Sequence, residues 1–486
     1  MKIRSILFVI GVTFSQFSLA QQTLPRDPDC CTSIMVGKLA STDGSVMTSH
    51  TCDSWYRTWV NVVPAADFAN DTVMNIYDGR MHTESVNDQT KLTVKGQIPQ
   101  AKHTYAFLDT AYPCLNEKQL AMGETTISGR DTLRNPKGMF MIEELARVAL
   151  QRCTTARDAI QLMGKLVKEY GYGDSGECLT IADPKEVWHF EIFGEGPDQI
   201  GGVWAAVRIP DDEVGVSANI SRISTLNLKD TRNYMASENV FSVAKKLKLW
   251  DGKEPFKFWK AYGSPNYFGK MQAFSIREFF ILSTLAPSLK LSMDDEELPL
   301  SVKPEKKISN ADVMAYLRQT YEGTEWSVTK NLKVAVKDRK TGKTDTITSP
   351  RANPWMRTDE VQLFNALQKG AVTANRNVAV PQCAYSTVIQ LRDWLPDAVG
   401  GVCWFGMDNP GQSPRVPIFC GTTDLPEMFK ICGNHRYRPF IRCATSAVVK
   451  ASLRFAVPDA RIFQQAEPGC GAQGHWLLPF ERSGRA

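Results

Sequence analysis

The chain has 486 residues, 43% of them hydrophobic and 22% charged, with 57 Lys and Arg against 52 Asp and Glu for a net charge of +5. This is the composition of a folded globular protein and excludes a disordered, collagen-like or low-complexity chain. So small a charge over this length gives no argument for nucleic acid or an anionic membrane as partner, and function must come from motifs.

Residues 1–20 read as a secretory signal. Lys2 and Arg4 supply the positive start, 5–14 is apolar, and Ser18-Leu19-Ala20 offers small residues at the cut. The apolar run is too short to span a bilayer, and no other segment reaches about 18 uninterrupted apolar residues. The expected destination is a periplasm or the medium. Residues 21–30 are short and polar with two prolines, Pro25 and Pro28, and read as a removable propeptide ahead of one domain, 31–486.

From Cys31 the character changes. A strand is expected over 32–37, a tight turn at Asp43-Gly44, and the returning strand over 45–51. Another strand follows over 120–126. Helices are expected over 139–150 and 155–170; in the second, Ala159, Ile160, Met163, Leu166, Val167 and Tyr170 recur at the spacing of one buried face. Thr155 with Asp158 resembles a capping box, with Asp in place of Glu or Gln. Strands return over 179–182, 186–192, 203–207 and 215–219. Strands, two helices and more strands suggest sheets with helices packed outside. The polar stretches 293–310 and 337–350 read as surface insertions; a domain boundary near 290–350 is compatible with the pattern but not forced by it.

All twelve cysteines follow the signal. With a cut between Cys30 and Cys31, and Cys31 kept free for chemistry, ten remain: Cys52, Cys114, Cys153 and Cys178 in the N-terminal half, six in the last hundred or so residues. In an exported protein most of these are expected in disulfides.

Much chemistry is excluded by what is missing. There is no HExxH, no pair of CxxC motifs, no glycine-rich nucleotide loop after a strand and no Walker A sequence, so neither metal nor organic cofactor is indicated. Gly173-Asp174-Ser175-Gly176 is similar in part to a serine-protease nucleophile loop, but Glu177 follows and no matching histidine motif precedes it; a turn explains it better. Cys31 is the sharper candidate. A cysteine that becomes the first residue of a mature chain can use its own α-amine, of ordinary pKa ~7.7–8.0, as the base for its thiol. The opposing reading is a disulfide-forming Cys30-Cys31 pair at a loop edge, and the residue pattern alone leaves both open.

Cys31-Thr32-Ser33-Ile34-Met35-Val36-Gly37-Lys38, then 40–47, then His50-Thr51-Cys52-Asp53, is similar to the start of the dipeptidase A family, N-terminal nucleophile (Ntn) cysteine peptidases related to secernins. Asn116-Glu117 with 121–126, 202–212, 217–223, Ser386 with 388–392, Leu395-Pro396 and 401–405 also fit that family. The resemblance spans essentially the whole chain after the signal and is weakest in the polar stretches.

The resemblance implies an α+β fold, the αββα sandwich of two stacked antiparallel sheets flanked by helices, and hydrolysis of dipeptides with a free N-terminus. Cys31 is then the nucleophile, released by autocleavage or by another peptidase. Asp53 matches an acidic position that holds the nucleophile and its amine, or is a turn aspartate. Asn219 matches an asparagine near the oxyanion, or is a strand-end turn residue. Related amidases carry an arginine where this chain has His50, which would be a weaker, pH-dependent positive group or a packed strand residue. Glu124 and Thr126 are both candidates for another polar position, and Arg222 for a substrate-carboxylate contact or a surface role. The implied partners are dipeptides, with no nucleic acid and no membrane; a homo-oligomer is left open. The rival readings are an Ntn amidase acting on bile-acid conjugates, penicillins or acyl amides, and a non-catalytic secreted binding protein whose cysteines are all structural.

Overall fold

Strands Ser33–Val36 (β1) and Val46–Asp53 (β2) pair antiparallel as the hairpin expected around Asp43-Gly44. Gly44 takes φ +83°, a left-handed conformation open to glycine at no steric cost. The computed structural model describes residues 31–431 except 55, 265, 268, 269 and 374. The expected signal and propeptide, and Cys30, Cys432, Cys443 and Cys470, lie outside the described residues.

The remaining strands of the two main sheets, in chain order, are Asn61–Val63 (β3), Phe107–Asp109 (β4), Leu115–Asn116 (β5), Ala121–Thr126 (β6), Glu177–Ala182 (β7), Val187–Gly194 (β8), Gly202–Arg208 (β9), Val214–Ser217 (β10), Tyr234–Ala236 (β11), Ser301–Val302 (β12), Cys383–Leu391 (β13), Val402–Met407 (β14) and Val416–Phe419 (β15). One sheet runs β12-β10-β1-β2-β13-β14-β15, the other β11-β9-β8-β7-β6-β5-β4-β3, and neighbouring strands in both are antiparallel.

Helices Ile142–Arg152 (α1) and Ala156–Tyr170 (α2) cover the second sheet, where Leu145, Val148, Ile160, Met163 and Val167 share a core with Met122, Leu179 and Ile181. Helices Ile276–Leu285 (α3) and Asn310–Leu317 (α4) cover the first, packing Ile281, Leu282, Leu285, Val313 and Leu317 against Ile34, Val36, Met47, Val214 and Val216. The layer order is helix, sheet, sheet, helix, the αββα sandwich of α+β class that the resemblance implies. Thr155 caps α2 as read, its Oγ1 accepting the Asp158 N–H at 3.2 Å. Helix α1 starts three residues later than the spacing predicts. Its first expected residues are drawn into extended pairing instead: the Met139 N–H donates to the Tyr170 carbonyl and the Phe140 N–H to that of Gly171.

Between the sheets the packing is polar near the N-terminus of β1. Thr48 Oγ1 meets Thr180 Oγ1 at 2.6 Å, Ser33 Oγ donates to the Glu124 carbonyl at 3.0 Å, and Thr125 Oγ1 meets Ser217 Oγ at 2.6 Å. Each of these buried hydroxyls thus has a partner, as burial demands. The approach depends on Gly123: a Cβ there would lie 2.3 Å from the Ser49 carbonyl and 2.6 Å from Thr180 Oγ1. At the periphery, Lys333–Lys337 and Thr344–Thr348 form an exposed hairpin, whereas β12 is an edge strand of the first sheet. Among the described residues no helix is long and apolar enough to cross a membrane.

The expected disulfides are not found among the described residues. Cys31, Cys114, Cys153, Cys178, Cys383, Cys403 and Cys420 are buried free thiols. Parity counts cysteines without placing them; here they fill small apolar or hydrogen-bonding positions in the packed layers, as buried thiols commonly do.

Candidate active site

Cys31 lies two residues before β1, and the Thr32–Thr51 bridge sets it beside the Cys52-Asp53 end of β2. Its side chain is fully buried, and burial followed by the negative fields of Glu124, Cys52 and Asp53 pushes its thiol well above the ordinary value. In the uncut chain its nitrogen is a peptide nitrogen and supplies no base. The thiol is therefore protonated and unreactive there. As a free thiol it also opposes the reading of a Cys30-Cys31 disulfide.

Two arginines far away in sequence organise this end of the hairpin. Arg277, on α3, donates through Nη1 to the Cys31 carbonyl at 2.7 Å and to Thr32 Oγ1 at 3.1 Å. Its Nη2 donates to the Ala218 carbonyl at 3.0 Å and to Asn219 Oδ1 at 2.9 Å. One guanidinium thus ties the candidate nucleophile to the candidate oxyanion residue, a use of its planar fork that lysine could not reproduce. Arg376 donates to Asp53 Oδ2 at 3.0 Å, which also accepts Thr51 Oγ1 at 2.9 Å; Thr51 Oγ1 in turn accepts the Thr32 N–H at 2.9 Å. Burial pushes the Asp53 carboxyl up, and Arg376 and then Arg277 pull it back. Arg376→Met would leave this buried carboxylate without its cation, and we expect a loss of about 3–5 kcal/mol in urea unfolding, partly recovered by Asp53→Asn in the same chain.

Asn219 follows β10 with φ +66°, a left-handed conformation that asparagine tolerates better than other non-glycine residues. Its Nδ2 donates to the Thr126 carbonyl at 2.8 Å. The turn beyond it is held by Glu191, whose Oε1 accepts the N–H groups of Arg222 and Ile223 at 2.5 and 3.1 Å. Glu191 is itself paired with His189 at 2.7 Å. Burial opposes a charge on that ring, yet Cys178 and Glu191 hold it up to about 10, so it stays cationic. Arg222 does not reach the site: its guanidinium donates to the Ala273 and Pro299 carbonyls at 2.9 and 2.6 Å.

His50 lies on β2 with its Nδ1 against the backbone of Glu124, 2.7 Å from the carbonyl oxygen and 2.9 Å from the amide nitrogen. Either tautomer commits Nδ1 to that backbone and leaves the buried Nε2 without a partner. Burial lowers its pKa to about 4. The ring is therefore neutral near neutral pH, which favours the packed strand residue of the two readings of His50; Arg277 and Arg376 carry positive charge here. A ring that titrates near 6.5 unfolded and near 4 folded leaves stability intact above about pH 6.5 and removes it as pH falls through 4, by about 3 kcal/mol at the limit. His50→Gln should accordingly narrow the drop in melting temperature between about pH 7 and pH 4.5.

Of the two polar candidates on β6, Glu124 faces the nucleophile. Cys31 Sγ, a His50 ring nitrogen and a Glu124 carboxylate oxygen all lie within 4.8 Å of one another. A thiolate, an imidazole and a carboxylate at this separation could share a zinc-like ion, the one such group among the described residues. Thr126 supports Glu124, donating from Oγ1 to Oε1 at 3.1 Å. Sequence reasoning named Cys31, His50, Asp53, Asn219 and Glu124, and the fold brings all five to one end of the sandwich. It missed Arg277 and Arg376, which carry no local motif.

The family model described as peptidase family C69 matches residues 30–439. A "Probable dipeptidase" of Latilactobacillus sakei is 27% identical over 82% of this chain and 76% of that protein. A "Probable dipeptidase" of Salmonella dublin is 25% identical over 80% of this chain and 81% of that protein. Similarity to a "Probable dipeptidase B" of Streptococcus pyogenes serotype M1, at 26%, covers 56% of this chain and about half (48%) of that protein. Among solved structures, penicillin V acylase from Agrobacterium tumefaciens aligns with 78% of this chain and 86% of its own at 12% identity and a TM-score of 0.25. An overlay this loose adds nothing to the sheet order described above.

Proposed function

The chain belongs to peptidase family C69, and on that premise we propose that it is a cysteine-type dipeptidase whose nucleophile is Cys31, exposed as the first residue by removal of the segment before it. The carrying observation is the placement of Cys31, clamped through its carbonyl by the same Arg277 that holds Asn219. Export through the expected signal, and a short propeptide over 21–30, belong to this reading.

Once the preceding peptide bond is cut, the α-amine of Cys31 takes the Sγ proton and the thiolate attacks the scissile carbonyl carbon. The resulting oxyanion receives a hydrogen bond from the Asn219 side-chain amide, the group that also reaches the Thr126 carbonyl. As the C–N bond breaks, the α-ammonium returns its proton to the leaving amine and the C-terminal amino acid departs. Water then attacks the thioester as the amine takes its proton; the C–S bond breaks, the N-terminal amino acid leaves, and the α-ammonium returns the proton to the thiolate to restore the thiol. Asp53, fixed by Arg376, holds the negative charge that keeps the amine in place.

The test is an assay panel on the processed protein. Free dipeptides should be cleaved at least about 10²-fold more efficiently than penicillin V, acyl amides or tripeptides. Preferential cleavage of an acyl amide would establish the amidase reading instead, and no hydrolysis of any member would remove the enzymatic one.

A further inference from the structure

Glu124 is a fully buried carboxylate beside the nucleophile with no permanent cation paired to it among the described residues. Its Oε1 accepts the Thr126 hydroxyl, but its Oε2 takes no hydrogen bond from any donor among the described residues. Among the described residues its one basic neighbour within 4 Å is the His50 ring, 3.8 Å away, which burial keeps neutral near neutral pH. Asp53 by contrast has a cation, Arg376, at 3.0 Å from its Oδ2, although its Oδ1 likewise takes no hydrogen bond among the described residues. Glu177, on the neighbouring strand of the same sheet, is coupled to Glu124 and shares its burial. Burial, reinforced by the neighbouring Glu124, pushes the Glu177 carboxyl well above the ordinary range, whereas Glu124 is raised by burial to about 7 and pulled down by Glu177, Thr126 and Cys31, so Glu124 is the first of the two to ionise. A buried charge in this state is costly unless a counter-charge arrives.

A dipeptide brings one. Its α-ammonium is separated from the scissile carbonyl carbon by a single Cα, a distance of about 2.5 Å from standard bond lengths and angle. A nucleophile approaches that carbon at about 3–3.5 Å before reaction. A carboxylate oxygen within 4.8 Å of Cys31 Sγ is therefore at the range where it can accept a hydrogen bond from the ammonium while the carbonyl sits against the sulfur. Simple acyl amides and penicillin V carry no cationic group at that point.

We propose that Glu124, supported by Thr126 and Glu177, is the anchor for the substrate α-ammonium and so the residue that selects free N-terminal amino acids over acyl groups. The inference rests on the dipeptidase reading. It also assigns the proton held on Glu177 a purpose: two ionised carboxylates there would repel each other, whereas one leaves a single charge for a single ammonium.

The experiment measures kcat/KM for L-alanyl-L-alanine and for its des-amino analogue, propanoyl-L-alanine, on the processed wild type, Glu124→Gln and Glu124→Asp. The wild-type ratio should fall by about 10²–10³-fold in Glu124→Gln, the scale expected for truncating one partner of a buried charge pair, and recover in part in Glu124→Asp. If Glu124 instead positioned the enzyme's own α-amine, both substrates would lose equally and the ratio would stay as in the wild type; that result overturns the proposal. A thermal melt verifies that each variant folds. A wild type inactive on L-alanyl-L-alanine would sink the dipeptidase reading itself, whereas an active wild type with an unaltered ratio in Glu124→Gln would sink the anchor alone.

Discussion

Cys31→Ala is expected to lower kcat on dipeptides by about 10⁴-fold or more while leaving the fold intact. Groups that act as a unit in covalent catalysis show losses on this scale when the nucleophile is removed, because no remaining side chain can form the acyl-enzyme. The structural cost is small: alanine deletes one buried atom, and Arg277 binds the carbonyl of residue 31, not its side chain. The melting temperature should shift by no more than a few degrees. If removal of residues 21–30 is autocatalytic, the variant also accumulates as the uncut chain. A variant that stays processed and active would return Cys31 to the set of structural thiols.

Asn219→Ala is expected to cost about 10²–10³-fold in kcat with little change in KM, the signature of a donor whose interaction is made in the transition state. Alanine at φ +66° adds strain of about 1 kcal/mol, which could confuse the result. Asn219→Gly removes the amide without that strain. Equal losses in the two variants assign the effect to the missing donor; full activity in Asn219→Gly would reduce Asn219 to a turn residue that shapes the backbone.

How much of this was legible in the sequence follows from how local each signal is. The β1–β2 hairpin was readable because its turn and both strands lie within about twenty residues and Asp43-Gly44 prescribes the reversal. Thr155 announced the start of α2 for the same reason. Helix α1 was placed early because Met139 and Phe140 satisfy their backbone groups with residues 170 and 171, a pairing that no periodicity within the helix reveals. Arg277 and Arg376 act on residues 246 and 323 positions away, so no spacing could single them out from the other basic residues. Positive charge sits on them and not on His50: a histidine between two packed sheets loses its proton, whereas a guanidinium retains it even when buried. The cysteines misled because an exported chain makes disulfides the default, while pairing depends on Cα geometry that sequence does not contain.

The central claim is that Cys31 works as an N-terminal residue, and the most direct measurement is N-terminal sequencing with intact mass on protein purified from the exported fraction, assayed in parallel on dipeptides. The account predicts an active chain that begins at Cys31, with the uncut form inactive because its thiol is buried, protonated and without an amine beside it. A fully active chain beginning at Gln21 would contradict it.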